Sequence, residues 1–199
     1  MEPKKCKTIL RCTMVACCFL LGVVQHDLFA ETPIQALEET LDRLQTISRD
    51  PGLGEEIKTA QVRDIIVDRF DFKEMSKRIL GPHWEQNIEK QDEFVGVFTE
   101  FTKRTYFNKI VKIKSMKVRC LDEEIQGSTA KVITSIDLSG DEFKVKFQMH
   151  PFGSAWKVYD VLLENDSFSV VRSYRTQFHW ILKALSFDEL LHIIRAKNL

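Results

Sequence analysis

The sequence predicts an α+β domain in which helices precede and follow a sheet of four antiparallel strands. Three observations support this fold class. Apolar residues recur every three or four positions up to about residue 113, alternate with polar residues from Met116 to Leu163, and resume the helical spacing from Val170. Because short turns connect the strands, they should form a meander with one apolar face, against which the C-terminal helices pack.

Residues 1–30 have the pattern of an export signal. The segment has a basic start, an uncharged and mostly apolar run from Thr13 to Val24, and Ala30 as a suitable last residue before cleavage. The run has about half the length that a membrane-spanning helix needs. We therefore expect removal of this segment and one domain over residues 31–199. An uncleaved anchor, or a lipoprotein acylated at Cys17, is the alternative.

Removal of the signal segment changes the charge and the cysteine content of the chain. Four of the 29 basic and two of the 29 acidic residues lie in it, which leaves 25 basic and 27 acidic residues. The remaining chain has no basic excess that would attract nucleic acid. Four of the five cysteines also lie there, and Cys120 alone cannot form an internal disulfide. The fold must therefore depend on its hydrophobic core.

Four helices are predicted before the sheet. The first carries apolar residues over 34–47, the second begins near Glu55, and the third covers Phe72 to Leu80. The third ends there because Gly81 and Pro82 follow it. The fourth and longest helix should run from about Gln91 to Ile113, with an aromatic stripe along one side.

The strands and the last helices are predicted from changes in the spacing of apolar residues along the chain. Alternation predicts strands at Met116–Cys120, Val132–Ile136, Phe143–Met149 and Trp156–Leu163. An apolar stripe from Val170 to Leu182 then predicts a helix. Ser186 to Glu189 reads as a capping box that opens a final helix.

The sequence contains no recognisable pattern of a catalytic or metal site. The histidines beyond residue 30 have no ligand spacing, and Cys120 has no neighbouring Cys or His. Neither a Gly-x-Ser-x-Gly motif nor a Gly-rich phosphate loop occurs. We therefore expect no enzyme, no metal and no cofactor. Acid–base catalysis by a carboxylate in a pocket stays an alternative.

Aromatic residues are concentrated on the long helix, the strands and the final helices. Beyond residue 30 the chain has twelve Phe, three Trp and three Tyr. Periodicity indicates which side chains point inward, but it does not indicate whether they fill the space between the layers. A filled core and an apolar cavity are both compatible with the pattern.

Motifs in three stretches narrow the choice. The first is Phe72–Gly81 followed by Trp84, before the long helix, and the second is Gln91–Phe94 with the aromatic residues after it. The third is Trp156–Val161, which reads WKVYDV, followed by Tyr174–Phe178, which reads YRTQF. In order and spacing these motifs resemble the MlaC, or toluene-tolerance, family of phospholipid-binding proteins. The sequence departs from the family pattern at residues 165–167 and at Ser173.

The resemblance implies an elongated hydrophobic cavity between sheet and helices that holds phospholipid as cargo. It implies a periplasmic carrier that exchanges lipid between an inner-membrane ABC transporter with a ring of MCE domains and an outer-membrane lipoprotein complex. Such a carrier maintains the lipid asymmetry of the outer membrane. A hopanoid-type lipid is the alternative cargo. A lipid-modifying enzyme on the same cystatin-like fold and a periplasmic adaptor with a filled core are the alternative functions.

The candidate lipid-lining residues come from the long helix, the sheet and the final helices. They are Phe94, Phe98, Phe101, Val145, Phe147, Met149, Tyr159, Val161, Tyr174, Phe178 and Ile181. Trp84 and Trp156 are interpreted as structural, and Cys120 as a buried thiol. For Asp160 and Arg175 we favour a partly buried ion pair that fixes the helix against the sheet. Contact of Arg175 with a phosphate headgroup is the alternative.

Overall fold

The computed structural model describes residues 31–107, 116–163 and 166–196, so the predicted signal segment lies outside the described residues. The helices before the sheet are α1 (Pro33–Arg49), α2 (Glu55–Arg69), α3 (Phe72–Leu80), α4 (Pro82–Gln86) and α5 (Gln91–Thr102). The strands are β1 (Met116–Gln126), β2 (Thr129–Leu138), β3 (Asp141–Phe152), β4 (Ala155–Leu163) and β5 (Phe168–Ser169). Two helices follow them, α6 (Val170–Ala184) and α7 (Phe187–Ala196). The α+β class is confirmed.

The sheet is an antiparallel meander in the order β1-β2-β3-β4-β5. The prediction of four strands is wrong, because Phe168 and Ser169 form a fifth strand that pairs with Leu163 and Leu162 of β4. A strand of two residues is too short to show an alternating pattern. For this reason the hydrophobic period did not reveal it.

The predicted long helix changes its geometry partway along. Regular α-helix ends at Thr102, and a π-helical turn continues over Lys103–Phe107. The predicted end at Ile113 lies outside the described residues. A π turn bonds each N–H one residue further back, and a single such turn leaves the apolar stripe almost unchanged. The sequence pattern therefore did not distinguish it from α-helix.

Side-chain caps define the ends of several helices. Thr32 and Gln35 form a capping box at the start of α1, with Pro33 in the first turn. The capping box predicted for the last helix is confirmed, since Ser186 N donates to Glu189 Oε2 at 2.8 Å and Glu189 N donates to Ser186 Oγ at 3.3 Å. Of the helices described, none is long and apolar enough to cross a membrane.

The buried apolar residues form two clusters. The sheet cluster joins Ala36 and Leu37 of α1 to Val132, Met149 and Val158 of the sheet. Thus α1, rather than the C-terminal helices, covers this part of the apolar sheet face. The helical cluster lies among the helices and contains Val62, Ile66, Phe72, Met75, Ile79, Leu80, Trp84, Phe94, Phe98, Phe101, Tyr159, Val171, Tyr174, Phe178, Phe187, Leu190, Leu191 and Ile194.

A β-bulge in β4 connects the sheet to the helical cluster. Gln148 pairs with Asp160 and Met149 pairs with Val158, so Tyr159 has no partner in the register. Because of the extra residue, Val158 and Val161 both contact the sheet cluster, whereas Tyr159 packs into the helical cluster. The bulge therefore breaks the strict alternation that the sequence suggests for this strand.

Both tryptophans of the sequence motifs have structural contacts. Trp84 is buried in the helical cluster. Trp156 Nε1 donates to the carbonyl oxygen of Glu31 at 2.8 Å, which holds the chain before α1 against β4. Cys120 is only half-buried and packs against the sheet cluster. Burial, with a smaller contribution from the charge of Glu38, raises the pKa of this thiol to about 11.

Gly81 provides a test of the α3–α4 corner. Its φ is +54°, and an added Cβ would lie 3.1 Å from Arg175 Nη2. We expect Gly81→Ala to lower the free energy of unfolding in urea by about 2 kcal/mol, because alanine is strained at this positive φ and the Arg175 guanidinium must move aside. Gly96 of α5 is the control, since its Cβ would meet no atom within 4 Å. Gly96→Ala should stabilise the protein by up to about 1 kcal/mol. Equal effects of the two substitutions on the free energy of unfolding would contradict the strained conformation at Gly81.

Candidate functional site

Five aromatic rings from α5 and α6 form the centre of the helical cluster. We call Phe94, Phe98, Phe101, Tyr174 and Phe178 the aromatic cluster; each residue is at most 6% exposed. Phe94 and Phe98 are stacked, with ring centroids 6.1 Å apart. Tyr174 meets Phe98 and Phe101 edge-on at 5.6 and 5.5 Å. These are favourable ring geometries, so the rings fix α5 against α6.

The neighbouring helices extend this apolar interior. Phe187 of α7 lies 5.9 Å from Phe94, and Phe72 of α3 lies 6.4 Å from Phe98, measured between ring centroids. Ile181 is partly buried and packs at the border of the helical cluster. Helices α3, α5, α6 and α7 thus meet in one continuous apolar region.

Two tyrosine hydroxyls meet at the edge of the aromatic cluster. The Tyr106 and Tyr174 oxygens are 2.6 Å apart, and the π-helical turn carries Tyr106. Burial, followed by the hydrogen bond with Tyr106, raises the pKa of Tyr174 well above its usual range. The hydroxyls therefore satisfy each other without introducing a charge into the apolar interior.

The structure divides the predicted lining residues into two groups. One group belongs to or borders the helical cluster and consists of Phe94, Phe98, Phe101, Tyr159, Tyr174, Phe178 and Ile181. The other group lies with the sheet: Met149 is in the sheet cluster, Phe147 and Val161 pack against it, and Val145 is buried on β3. Side chains two apart on a strand share a face, so Phe147 and Met149 follow Val132 toward α1.

Asp160 has a different partner from the one expected. The residue is 5% exposed, and its carboxylate accepts hydrogen bonds from Ser169 Oγ at 2.6 Å and from Val171 N at 3.0 Å. It also accepts one from Val161 N at 2.8 Å. No ion pair between Asp160 and Arg175 occurs in the described part of the chain, so the favoured prediction is wrong. The side chain at 175 lies four residues beyond Val171, about 6 Å further along the helix, while the first turn of α6 occupies the carboxylate.

Arg175 instead lines a cleft beside the aromatic cluster. This basic cleft, of about 410 Å³, lies between α3, α6 and the sheet. Its cationic side chains are Arg78, Lys131, Arg172 and Arg175. Tyr159, Asp160, Leu162 and Val171 are among its other lining residues. Sequence reasoning found Arg175 only, because the sequence does not show that Arg78 of α3 and Lys131 of β2 lie beside α6 in the folded chain.

The described residues offer no candidate metal centre. Within residues 31–107, 116–163 and 166–196, no group of three or more His, Cys, Asp or Glu side chains is placed to hold a metal ion. Asp160, the buried carboxylate of the basic cleft, already accepts three hydrogen bonds. Its contacts are those of a structural group that joins a helix to a strand.

Comparison with known proteins gives one family and one fold. The sequence model of the family described as MlaC protein matches residues 35–196. A solved structure of the phospholipid-binding protein from Ralstonia solanacearum, in complex with a phospholipid, is similar with a TM-score of 0.69 and 23% identity. The match covers 81% of this chain and 93% of that chain, and at this identity it shows the fold. No curated protein sequence matches.

The role of Asp160 can be tested by its removal. We expect Asp160→Ala to lower the free energy of unfolding by about 3 kcal/mol, because it leaves buried donors without an acceptor and frees the start of α6. Urea unfolding monitored by circular dichroism measures the change. Asp64→Ala is the matched control on the exposed side of α2, where we expect less than about 0.5 kcal/mol. A loss of similar size in both variants would contradict the structural role.

Proposed function

This chain belongs to the MlaC family, and we propose that it is a phospholipid carrier that holds acyl chains in the aromatic cluster between α5 and α6. Family membership supports phospholipid binding and points to a binding or transport protein rather than an enzyme. The observation that carries the proposal is the large apolar region at the centre of the helices, which contains five buried aromatic rings. Such a region matches the chemistry of fatty tails.

Loading requires the rings to part, because they contact one another directly. Each lost ring–ring contact costs about 0.5–1.5 kcal/mol beyond the area that it buries. Contacts between rings and acyl methylene groups replace the lost ones, so the interior stays dry. Separation of α5 from α6 therefore costs little free energy when an acyl tail enters, but it is unfavourable when water would enter.

The free energy of transferring acyl chains out of water implies that the proposed carrier exchanges lipid with other apolar sites and does not release it to water. Two acyl chains of about sixteen carbons would gain roughly 25 kcal/mol relative to water, at ~0.8 kcal/mol per methylene group. A lipid in a bilayer is already dehydrated, so its transfer into the protein changes the free energy little. Small differences at each docking site can then direct the transfer.

Family membership and the signal-like residues 1–30 support a wider role for the proposed carrier. The carrier works in the periplasm after removal of this segment. It exchanges phospholipid between an inner-membrane ABC transporter with a ring of MCE domains and an outer-membrane lipoprotein complex. This exchange maintains the asymmetry of the outer membrane.

A second candidate is a periplasmic adaptor that carries no lipid. The direct ring–ring contacts of the aromatic cluster favour it, because they are also the contacts of a filled core. The two candidates differ in whether α5 and α6 can separate to admit cargo. Cargo is therefore the property to measure.

Native mass spectrometry of the full chain separates the two candidates. The protein is expressed in bacteria and purified without added lipid or detergent. We expect a population with one bound phospholipid that persists through washing in buffer, because release into water is costly. Extraction of the bound lipid then identifies it as phospholipid or hopanoid. If every preparation shows the mass of the protein alone, the carrier proposal fails and the adaptor is favoured.

A further inference from the structure

We propose that the basic cleft binds the phosphate group of the lipid whose acyl chains enter the aromatic cluster. This inference rests on the proposed carrier function and adds to it a polar site at a defined place. The argument uses the charges of the cleft, the position of Arg175 and the contact between the cleft and the aromatic cluster.

The cleft has more positive than negative charge, and its carboxylates are already engaged. Asp160 accepts three hydrogen bonds from the β4–α6 junction. Asp166 is paired with Lys146 at 2.9 Å and with Lys131 at 3.5 Å. Within the described residues, neither carboxylate forms an ion pair with Arg172 or Arg175 of α6. A site of this kind favours an anionic ligand.

The three arginines of the basic cleft differ in the ion pairs and hydrogen bonds that their guanidinium groups already form. Arg78 forms an ion pair with Glu74, at 2.7 Å, and Arg172 donates to the carbonyl oxygen of Asp166 at 2.9 Å. Among the residues that the structure describes, Arg175 has neither an ion pair nor a hydrogen-bond acceptor for its guanidinium. Its donors are therefore the ones free to bind an anion, with Arg78 and Arg172 beside it in the same cleft.

The backbone of Gly81 helps to place the Arg175 guanidinium. A Cβ built on Gly81 would lie 3.1 Å from Nη2 and 3.4 Å from Cζ of Arg175, so the group lies directly against this glycine. The planar guanidinium fork can donate two parallel hydrogen bonds to a phosphate. Contact with the Gly81 backbone limits the space that the guanidinium can occupy on that side.

The cleft and the apolar interior share residues. Tyr159 and Val171 line the basic cleft and also belong to the helical cluster. The guanidinium carbon of Arg78 lies 4.0 Å from the centre of the Tyr159 ring. Tyr174 of the aromatic cluster is adjacent in sequence to Arg175. A ligand with apolar tails and a phosphate at one end matches this junction.

The shape of the cleft indicates which part of a headgroup is recognised. Arg78, Arg172 and Arg175 are exposed, so the cleft is open to solvent. An alcohol attached to the phosphate can extend into water without meeting a binding surface. We therefore expect recognition of the phosphate itself, with little discrimination among the headgroup alcohols.

A loading competition tests the inference with the full chain. Vesicles contain equal amounts of phosphatidylglycerol, phosphatidylethanolamine and diacylglycerol with identical acyl chains, and native mass spectrometry reports the lipid taken up. We expect the unchanged protein to prefer both phospholipids over diacylglycerol. Arg175→Gln should lower this preference by about threefold, the factor that a partly solvated charge pair provides. The matched control is Arg43→Gln, an exposed arginine of α1 outside the cleft, which should leave the preference unchanged.

A second arm distinguishes lipid phosphate from free phosphate. Phosphorus NMR of the lipid-loaded protein should show a phosphorus shift that changes in Arg175→Gln and stays the same in Arg43→Gln. Titration with inorganic phosphate uses the same signal. If inorganic phosphate binds in an Arg175-dependent way while the lipid preference is unaffected, the cleft is a free-phosphate site and the lipid assignment is overturned.

The remaining outcomes separate this inference from the carrier function. Equal uptake of diacylglycerol and phospholipid, or an unaltered preference in folded Arg175→Gln, overturns the phosphate site and leaves the carrier proposal intact. Failure of the unchanged protein to take up any lipid overturns both. Circular dichroism of each variant establishes that it is folded, which the exposed position of Arg175 leads us to expect.

Discussion

The position of α6 depends on one buried carboxylate. Asp160 lies on β4 and accepts hydrogen bonds from Ser169 Oγ and Val171 N, at the point where the helix begins. Successive helical residues point about 100° apart, so a helix fixed at this end presents Tyr174 inward and Arg175 outward. The aromatic cluster and the basic cleft therefore share one support. The sequence suggests that this carboxylate pairs with an arginine, but in the structure its hydrogen bonds connect the sheet to the helix.

The aromatic cluster serves stability and the proposed binding in opposite ways. The rings that hold α5 against α6 are the groups that must separate when an acyl chain enters. A binding site built in this manner excludes water whether or not a lipid is present. It also connects cargo uptake to the local stability of two helices. In many folds, ligand-binding regions are among the less stable parts. The tyrosine hydroxyl pair adds a polar contact that must rearrange with the rings.

Sequence reasoning found the features that periodicity and capping encode, and missed those that depend on register and on distant elements. The bounds of α3 and the cap of α7 were predicted correctly, because Gly81 and the Ser186–Glu189 pair are local signals. The bulge at Tyr159 leaves no mark in the sequence, and it places Tyr159 and Val161 in different clusters. The basic cleft combines side chains from α3, β2 and α6, which only the folded chain brings together.

The central claim is that acyl chains enter between α5 and α6. The most direct measurement is photo-crosslinking with a phospholipid that carries a diazirine near the end of one acyl chain, followed by peptide mapping. We predict labelled peptides from Gln91–Thr102 and Val170–Ala184, which carry the aromatic cluster. Labelling confined to exposed apolar residues such as Ile125 of β1 or Phe152 of β3 would contradict the claim. It would mean that lipid only adheres to the surface.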